Sequence, residues 1–286
     1  MKERGAVAMV VLAAMMWGTT GTARALAPSD ASPVAVGAVR IAVGGTVLVL
    51  LALARGTLRA RWPLWPSAAA AVGVALYQLA FFEGVARAGV AVGTIVGIGS
   101  APVFAGLIAA IVLRERPGTR WLVATALAIV GVTLLAAPQR GAGLEPLALL
   151  LPLAAGATYA IYATATKVLL RDHDAVAVAA LAFGGGALLL APVLVTADLG
   201  WVAHPAGVLV ALELGLVATA LAYVLFMRGL ARLPVSWGAT LSLAEPLTAA
   251  VLGRVVLGEI LSGEQLVGAT LVAAGLVALA TARAPS

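Results

Sequence analysis

Residues 84–115 read GVARAGVAVGTIVGIGSAPVFAGLIAAIVLRE, and residues 229–259 read GLARLPVSWGATLSLAEPLTAAVLGRVVLGE. The second stretch repeats the first. Gly84, Arg87, Val90 and Gly93 stand opposite Gly229, Arg232, Val235 and Gly238 at an offset of 145. After a slip of one residue, Pro102, Ala105, Glu115 and Gly131 stand opposite Pro246, Ala249, Glu259 and Gly275. Both copies are almost wholly apolar over the roughly 20 residues that a helix needs to cross ~30 Å of hydrocarbon.

Outward from this pair, apolar runs recur along the chain. They predict spans near 5–25, 34–54, 66–86, 90–113, 121–137, 146–169, 175–196, 207–231, 235–257 and 264–282, separated by turn-like breaks such as APSDASP (27–33), RERPGTR (114–120) and RDHD (171–174). The fold class expected is all-α integral membrane, with ten transmembrane helices in two inverted five-helix repeats, residues 1–140 and 141–286. Five spans per unit is an odd number, so the second unit enters the bilayer with opposite orientation. That construction places a substrate site near the midplane between the halves in secondary transporters.

Composition agrees. The 286 residues are 63% hydrophobic and only 10% charged, where a soluble domain is nearer half apolar and a quarter charged. The alternating segments of a transmembrane barrel are absent. The net charge of +6 points to cytoplasmic loops rather than to nucleic acid. Of the 18 basic residues, only Arg24, Arg40, Arg87, Arg140 and Arg254 fall outside the segments that are cytoplasmic if both termini lie inside, and such a skew sets an N-in, C-in orientation. Lys2 and Arg4 before an apolar run, with ALA at 25–27, resemble a secretory signal. The run is read instead as a retained first helix, because it carries the polar cluster WGTTGT at 17–22.

There is no cysteine, and His173 and His204 sit in predicted loops, so no metal site and no cofactor is expected. No G-x-x-x-x-G-K-[ST] run is present, which removes direct nucleotide drive by this chain. An intramembrane enzyme would need paired acids, a Ser/His pair or a metal cluster at membrane depth, and none is apparent.

Particular stretches look familiar. WGTTG in the first span, Ser32, Pro33 and Arg40 entering the second, APVFAGLIAAIVLRER (101–116) and EPLTAAVLG (245–253) resemble the EamA-type branch of the drug/metabolite transporter superfamily. The resemblance covers nearly the whole chain. It implies ten helices, of which 1–4 and 6–9 surround a central cavity while 5 and 10 lie outside, and a transporter of efflux type. Arg254 departs from the pattern, since the family carries an aliphatic residue there and the repeat pairs it with Ala110.

Glu245 lies about ten residues, ~15 Å, into the ninth span. An acid at that depth costs roughly 2.5–3.5 kcal/mol and is expected to face the bundle interior. Pro246 beside it lacks an N–H and frees a carbonyl a turn earlier, so the two make a polar notch, either a substrate or proton site or a structural acid. Arg254 is half a turn out of phase with Glu245 and ~13 Å along the axis, which makes it a separate feature near the outer end. Arg40 is a further candidate for substrate binding or coupling; a pair with Glu83 or Glu213 would either close an outer gate or only neutralise charge buried between helices, and Glu83 and Arg87 make an (i, i+4) pair. Trp17, Tyr77, Tyr159, Tyr162, Tyr223 and Trp237 are candidate lining, suited to an apolar side chain or an ammonium group. Trp62, Trp65, Trp121 and Trp201 fit an interfacial belt. Gly93, Gly97, Ala101, Ala105 and Ala109 form a small-residue ladder for close helix approach, and FGGGA at 183–187 is read as packing.

The function expected is secondary export of small metabolites, such as amino acids or related amines, by alternating access across a cell membrane. Import of the same metabolites, or a non-transporting receptor or assembly subunit, are the alternatives. The partners expected are a small-molecule substrate and the bilayer, with further copies of the chain left open and no nucleic acid.

Overall fold

The computed structural model describes residues 3–28, 31–136 and 149–282, and every regular element among them is a helix. In hydrocarbon each backbone N–H and C=O must be satisfied within its own segment, which a helix does. The first half holds α1 (Glu3–Ala25), α2 (Pro33–Ala54), α3 (Leu64–Ala88), α4 (Val90–Val112) and α5 (Thr119–Leu135). The second holds α6 (Leu150–Leu169), α7 (Ala175–Leu189), α8 (Ala191–Thr196), α9 (Pro205–Leu212), α10 (Ala222–Leu230), α11 (Val235–Leu241), α12 (Ala244–Val256) and α13 (Gly263–Ala280). Among the described residues, seven helical stretches are long and apolar enough to cross a membrane, with Pro205–Leu230 and Val235–Val256 each taken as one. Leu12, Leu50, Leu107, Leu188 and Val277 point outward and are exposed, an arrangement that hydrocarbon tolerates and water does not.

Local chemistry sets the ends. Ser32 Oγ accepts the Ala35 N–H at 3.2 Å and Pro33 opens α2, so the Ser-Pro pair of the sequence motif is an N-cap followed by a pre-set first turn. Asp174 caps α7 through the Val176 N–H at 2.9 Å. Ser262 and Gln265 form a reciprocal capping box on α13.

Two stretches predicted as uninterrupted are not. Between α9 and α10 the backbone winds as a π-helix over Glu213–Leu221, with Thr219 Oγ donating five residues back to the Leu214 carbonyl at 2.7 Å. Between α11 and α12 the chain turns at Ser242 and Leu243, and the Glu245 N–H bonds the Ser242 carbonyl at 3.0 Å. Glu245 and Pro246 therefore stand in the first turn of a new helix. Proline is accommodated there, because first-turn N–H groups have no intrahelical partner to lose.

Small residues let the helices interleave. A Cβ on Gly84 would lie 2.8 Å from Pro152 Cδ, placing α3 against α6, and one on Gly229 would lie 2.7 Å from the Ala6 carbonyl, placing α10 against α1. Gly93 meets Val85 and Gly238 meets Leu230, so the contact recurs at the repeat offset. Gly156 faces the Gly97 carbonyl and Ala101 N–H of α4, which gives the small-residue ladder its partner, α6. Gly184, Gly185 and Gly186 meet Val49, Ala71 and Val74, close packing as expected. Gly131 and Gly268 bring the backbones of α5 and α13 together, each 2.6 Å from the other's carbonyl once a Cβ is placed.

Candidate functional site

Five elements converge on a cluster of rings. Tyr77 comes from α3, Tyr159 and Tyr162 from α6, Phe183 from α7, Tyr223 and Phe226 from α10, and Trp17 from α1. Tyr159 and Tyr162, three residues apart on one face, have ring centroids 6.1 Å apart, and Tyr223 lies 4.0 Å from Phe183 and 4.8 Å from Trp17. Between them is a very small cavity, about 10 Å³, lined by Ile41, Val74, Tyr77, Gln78, Tyr159, Tyr162, Phe183 and Tyr223. That is room for about one water, far below the range usual for small-molecule pockets, so the rings are closed on one another in this state.

The polar groups here are under-used by the protein. Trp17 Nε1, Arg40 Nε, Gln78 Nε2 and Tyr162 OH are buried with no hydrogen-bond partner among the described residues. Most buried polar groups are paired, so several orphans in one cluster mark a place where other atoms belong. Tyr159 OH is partnered, 3.1 Å from Ser242 Oγ, and fixes the turn just before Glu245.

Arg40 and Glu245 supply the charge. Arg40 is buried in α2 and stands within electrostatic reach of Tyr77, Tyr223 and Glu245. Glu245 is half-buried and within reach of Tyr77, Tyr159 and Tyr223. The ion pair found among the described residues is Glu83–Arg87, at 2.7 Å, so Arg40 and Glu245 make no direct ion pair, and neither of them lines the cavity. Glu245 also gains from its place in the first turn of α12, where the helix dipole favours negative charge.

The sequence expectation for Arg40 needs correction. It pairs with neither Glu83, which is engaged with Arg87, nor Glu213, whose Oε1 takes a 2.5 Å bond from Thr19 Oγ. Trp237 is buried in α11 and does not line the cavity. Pro246 contributes through the backbone break. Arg254 reaches only the Glu259 carbonyl, at 3.4 Å, and is exposed. Of the tryptophans expected at an interface, Trp65 is exposed, whereas Trp121 and Trp201 are buried. Phe183 and Phe226 went unrecognised, because an apolar ring in an apolar span carries no signal of its own.

A bundle of long apolar helices around a charged, tyrosine-lined centre defines a helical membrane protein with an internal polar site. The family model described as the EamA-like transporter family matches residues 4–137 and again 146–281. The chain belongs to that family and is a multi-pass membrane protein. It is 42% identical over 245 residues to the uncharacterized transporter YwfM of Bacillus subtilis (strain 168), covering 85% of this chain and 83% of that one. It is 29% identical over 255 residues to a probable terminal-alkyne amino-acid exporter of Streptantibioticus cattleyicolor, covering 88% and 85%. A crystal structure with a TM-score of 0.83 shares the fold at 22% identity, over 96% of this chain and 95% of that chain.

Proposed function

We propose that the chain is a secondary exporter of small zwitterionic metabolites, amino acids foremost, working by alternating access. One observation carries this reading: buried Arg40 and half-buried Glu245, opposite in charge and borne by opposite halves, make no ion pair with each other, and both act electrostatically on Tyr77 and Tyr223, which line the cavity. An amino acid between them sets its carboxylate on the Arg40 guanidinium and its ammonium on Glu245. Its side chain then meets Tyr77, Tyr162 and Phe183. Arginine matches a carboxylate in two parallel bonds, and tyrosine faces attract an ammonium. The reading agrees with the name of one distant relative, a probable terminal-alkyne amino-acid exporter.

On this reading the helices make ten spans. α7 with α8 forms the seventh, α9 to α10 through the π segment the eighth, and α11 with α12 the ninth. Residues 1–140 and 141–286 are the inverted units, both termini are cytoplasmic, and the protein sits in the cell (plasma) membrane. No enzymatic step and no cofactor is involved.

The experiment is efflux of a labelled amino-acid mixture from proteoliposomes, wild type against Glu245→Gln, with and without a pH gradient. Wild type is expected to move at least one component, and a folded Glu245→Gln protein to lose that flux. The gradient arm reports whether protons drive it. Equal flux in both proteins removes Glu245 from the transport site. No flux in wild type sinks the amino-acid assignment.

A further inference from the structure

The loops after α4 and α12 end their helices in the same way. The Leu113 and Glu115 N–H groups both return to the Ala109 carbonyl, at 2.9 and 3.2 Å, around Arg114 at φ 58°. The Leu257 and Glu259 N–H groups both return to the Gly253 carbonyl, at 3.2 and 3.0 Å, around Gly258 at φ 74°. Each is a Schellman-type stop with a left-handed residue, and each delivers a glutamate at equivalent places in the repeat. The backbones match and the side chains match, but they are used differently.

Glu115 accepts the Val235 N–H through both carboxylate oxygens, at 3.1 and 3.0 Å, and so caps α11. Beside it Lys167 Nζ donates to the carbonyls of Leu230, Ala231 and Leu233 at 2.8, 3.1 and 2.9 Å, gripping the end of α10. Trp121 Nε1 donates to the Ser236 carbonyl at 2.9 Å, and Thr125 meets Thr240 at 2.8 Å. All seven residues of α11 are buried. This end of the molecule is shut.

At the other end Glu259 is exposed, and its carboxylate lies over Gly253 of its own span. The carboxylate has no hydrogen-bond or ion-pair partner among the described residues, although Arg254 donates to the Glu259 backbone carbonyl at 3.4 Å. Val90, the repeat counterpart of Val235, begins α4. Thr94, Ile95 and Val96, the counterparts of Ala239, Thr240 and Leu241, are half-exposed where those three are buried. The cation ending α1, Arg24, is spent on the Ala31 carbonyl of its own loop at 2.8 Å.

We propose that Glu115 and Glu259 are alternating latches: Glu115 caps α11 and holds one end shut in this state, and in the opposite state it lets go while Glu259 caps the first turn of α4 at Val90. The proposal rests on the transporter reading, which supplies the two states. Both carboxylates are positioning residues that act on which end is open and touch no substrate.

The chain has no cysteine, so single cysteines report accessibility in an otherwise native protein. Ser236→Cys sits at the shut end and Thr94→Cys at the open one, and the rate of N-ethylmaleimide labelling is read at each. In the parent, Thr94→Cys is expected to react fast and Ser236→Cys slowly. Adding Glu115→Gln should move the two rates in opposite directions, Ser236→Cys up and Thr94→Cys down, by about tenfold for loss of a charged hydrogen bond. Glu115→Asp, which keeps the charge but shortens the reach, should shift both the same way. Adding Glu259→Gln to Glu115→Gln should return both rates toward the parent.

Rates that rise together at both sites mean a loosened fold and overturn the proposal, as do rates that do not move. A double variant that behaves like Glu115→Gln alone overturns the role of Glu259. Labelling needs no substrate, so a failed flux assay and a failed latch are read separately.

Discussion

Tyr162 is the residue whose chemistry is most cleanly separable from its packing. Its ring is held on three sides by Tyr159, Phe183 and Tyr223, while its OH has no partner among the described residues. Tyr162→Phe is therefore expected to leave the melting temperature in detergent nearly unchanged, because no protein hydrogen bond is lost. The amino-acid concentration for half-maximal efflux should rise several-fold. A drop in melting temperature instead would mean that the hydroxyl serves the fold. Thr19 should behave in the opposite sense. Its hydroxyl is the bond to Glu213 Oε1, and Glu213 Oε2 is buried without a partner, so Thr19→Val leaves a poorly satisfied acid and should cost about 1–3 kcal/mol in an unfolding titration. Glu115 adds a pH signature. Burial pushes its carboxyl up from the ordinary value of 4.5, against the Val235 N–H and the Lys167 charge, which pull it down. The folded chain thus holds this proton more tightly than the unfolded chain does. The residue contributes stability that is present in acid and lost as pH rises from 4.5 through the raised value. Melting against pH, wild type compared with Glu115→Gln, should show a shallower fall in the variant, and parallel curves would refute this.

At the scale of elements, the legible and the illegible parts divide by physical cause. Hydropathy reads the length of an apolar run and its ends, so the predicted 34–54, 90–113 and 264–282 lie within a few residues of α2, α4 and α13. It cannot read hydrogen-bond register inside such a run. The π turn at Glu213–Leu221 and the stop at Ser242–Leu243 are both invisible to it. Glu245 and Pro246 were recognisable as a notch, because an acid and an imino acid are costly in mid-bilayer. That the acid opens a fresh helix was not. Arg40 was legible as a buried cation, yet its neighbour was misread, since which faces of α2, α3 and α12 meet is decided by packing among residues far apart in sequence. Glu115 is legible in the sequence only as the repeat counterpart of Glu259, and Lys167 only as one of the basic residues expected on the cytoplasmic side, because their partners are backbone atoms. The two Schellman stops offer a test. Arg114 holds a left-handed conformation at φ 58° that its counterpart supplies with Gly258, and a side chain there is strained by roughly 1–2 kcal/mol. Arg114→Gly should raise the unfolding midpoint and Gly258→Ala lower it, and like-signed shifts would contradict the assignment.

Across the whole molecule, the halves are not side by side. α6 of the second half lies on α3 and α4 of the first through Gly84 and Gly156, and α1 of the first lies on α10 and α12 of the second through Gly229 and Gly18. A Cβ on Gly18 would fall 2.7 Å from the Glu245 carbonyl, so Gly18→Val should separate α1 from the site. A packing loss of about 1–3 kcal/mol is expected, visible as reduced yield of folded protein together with lost flux. This exchange of partners has a consequence for biosynthesis. When the ribosome has delivered α1 to α5, the faces of α3 and α4 that bear Gly84 and Gly97 lack their partner, and they wait until α6 arrives. The first half is thus an adhesive intermediate, vulnerable to membrane proteases and to a second nascent copy. Its completion is chemically indifferent to whether residues 1–140 and 141–286 share a peptide bond. Two separately translated halves should find each other, co-purify and restore flux, while either alone is degraded.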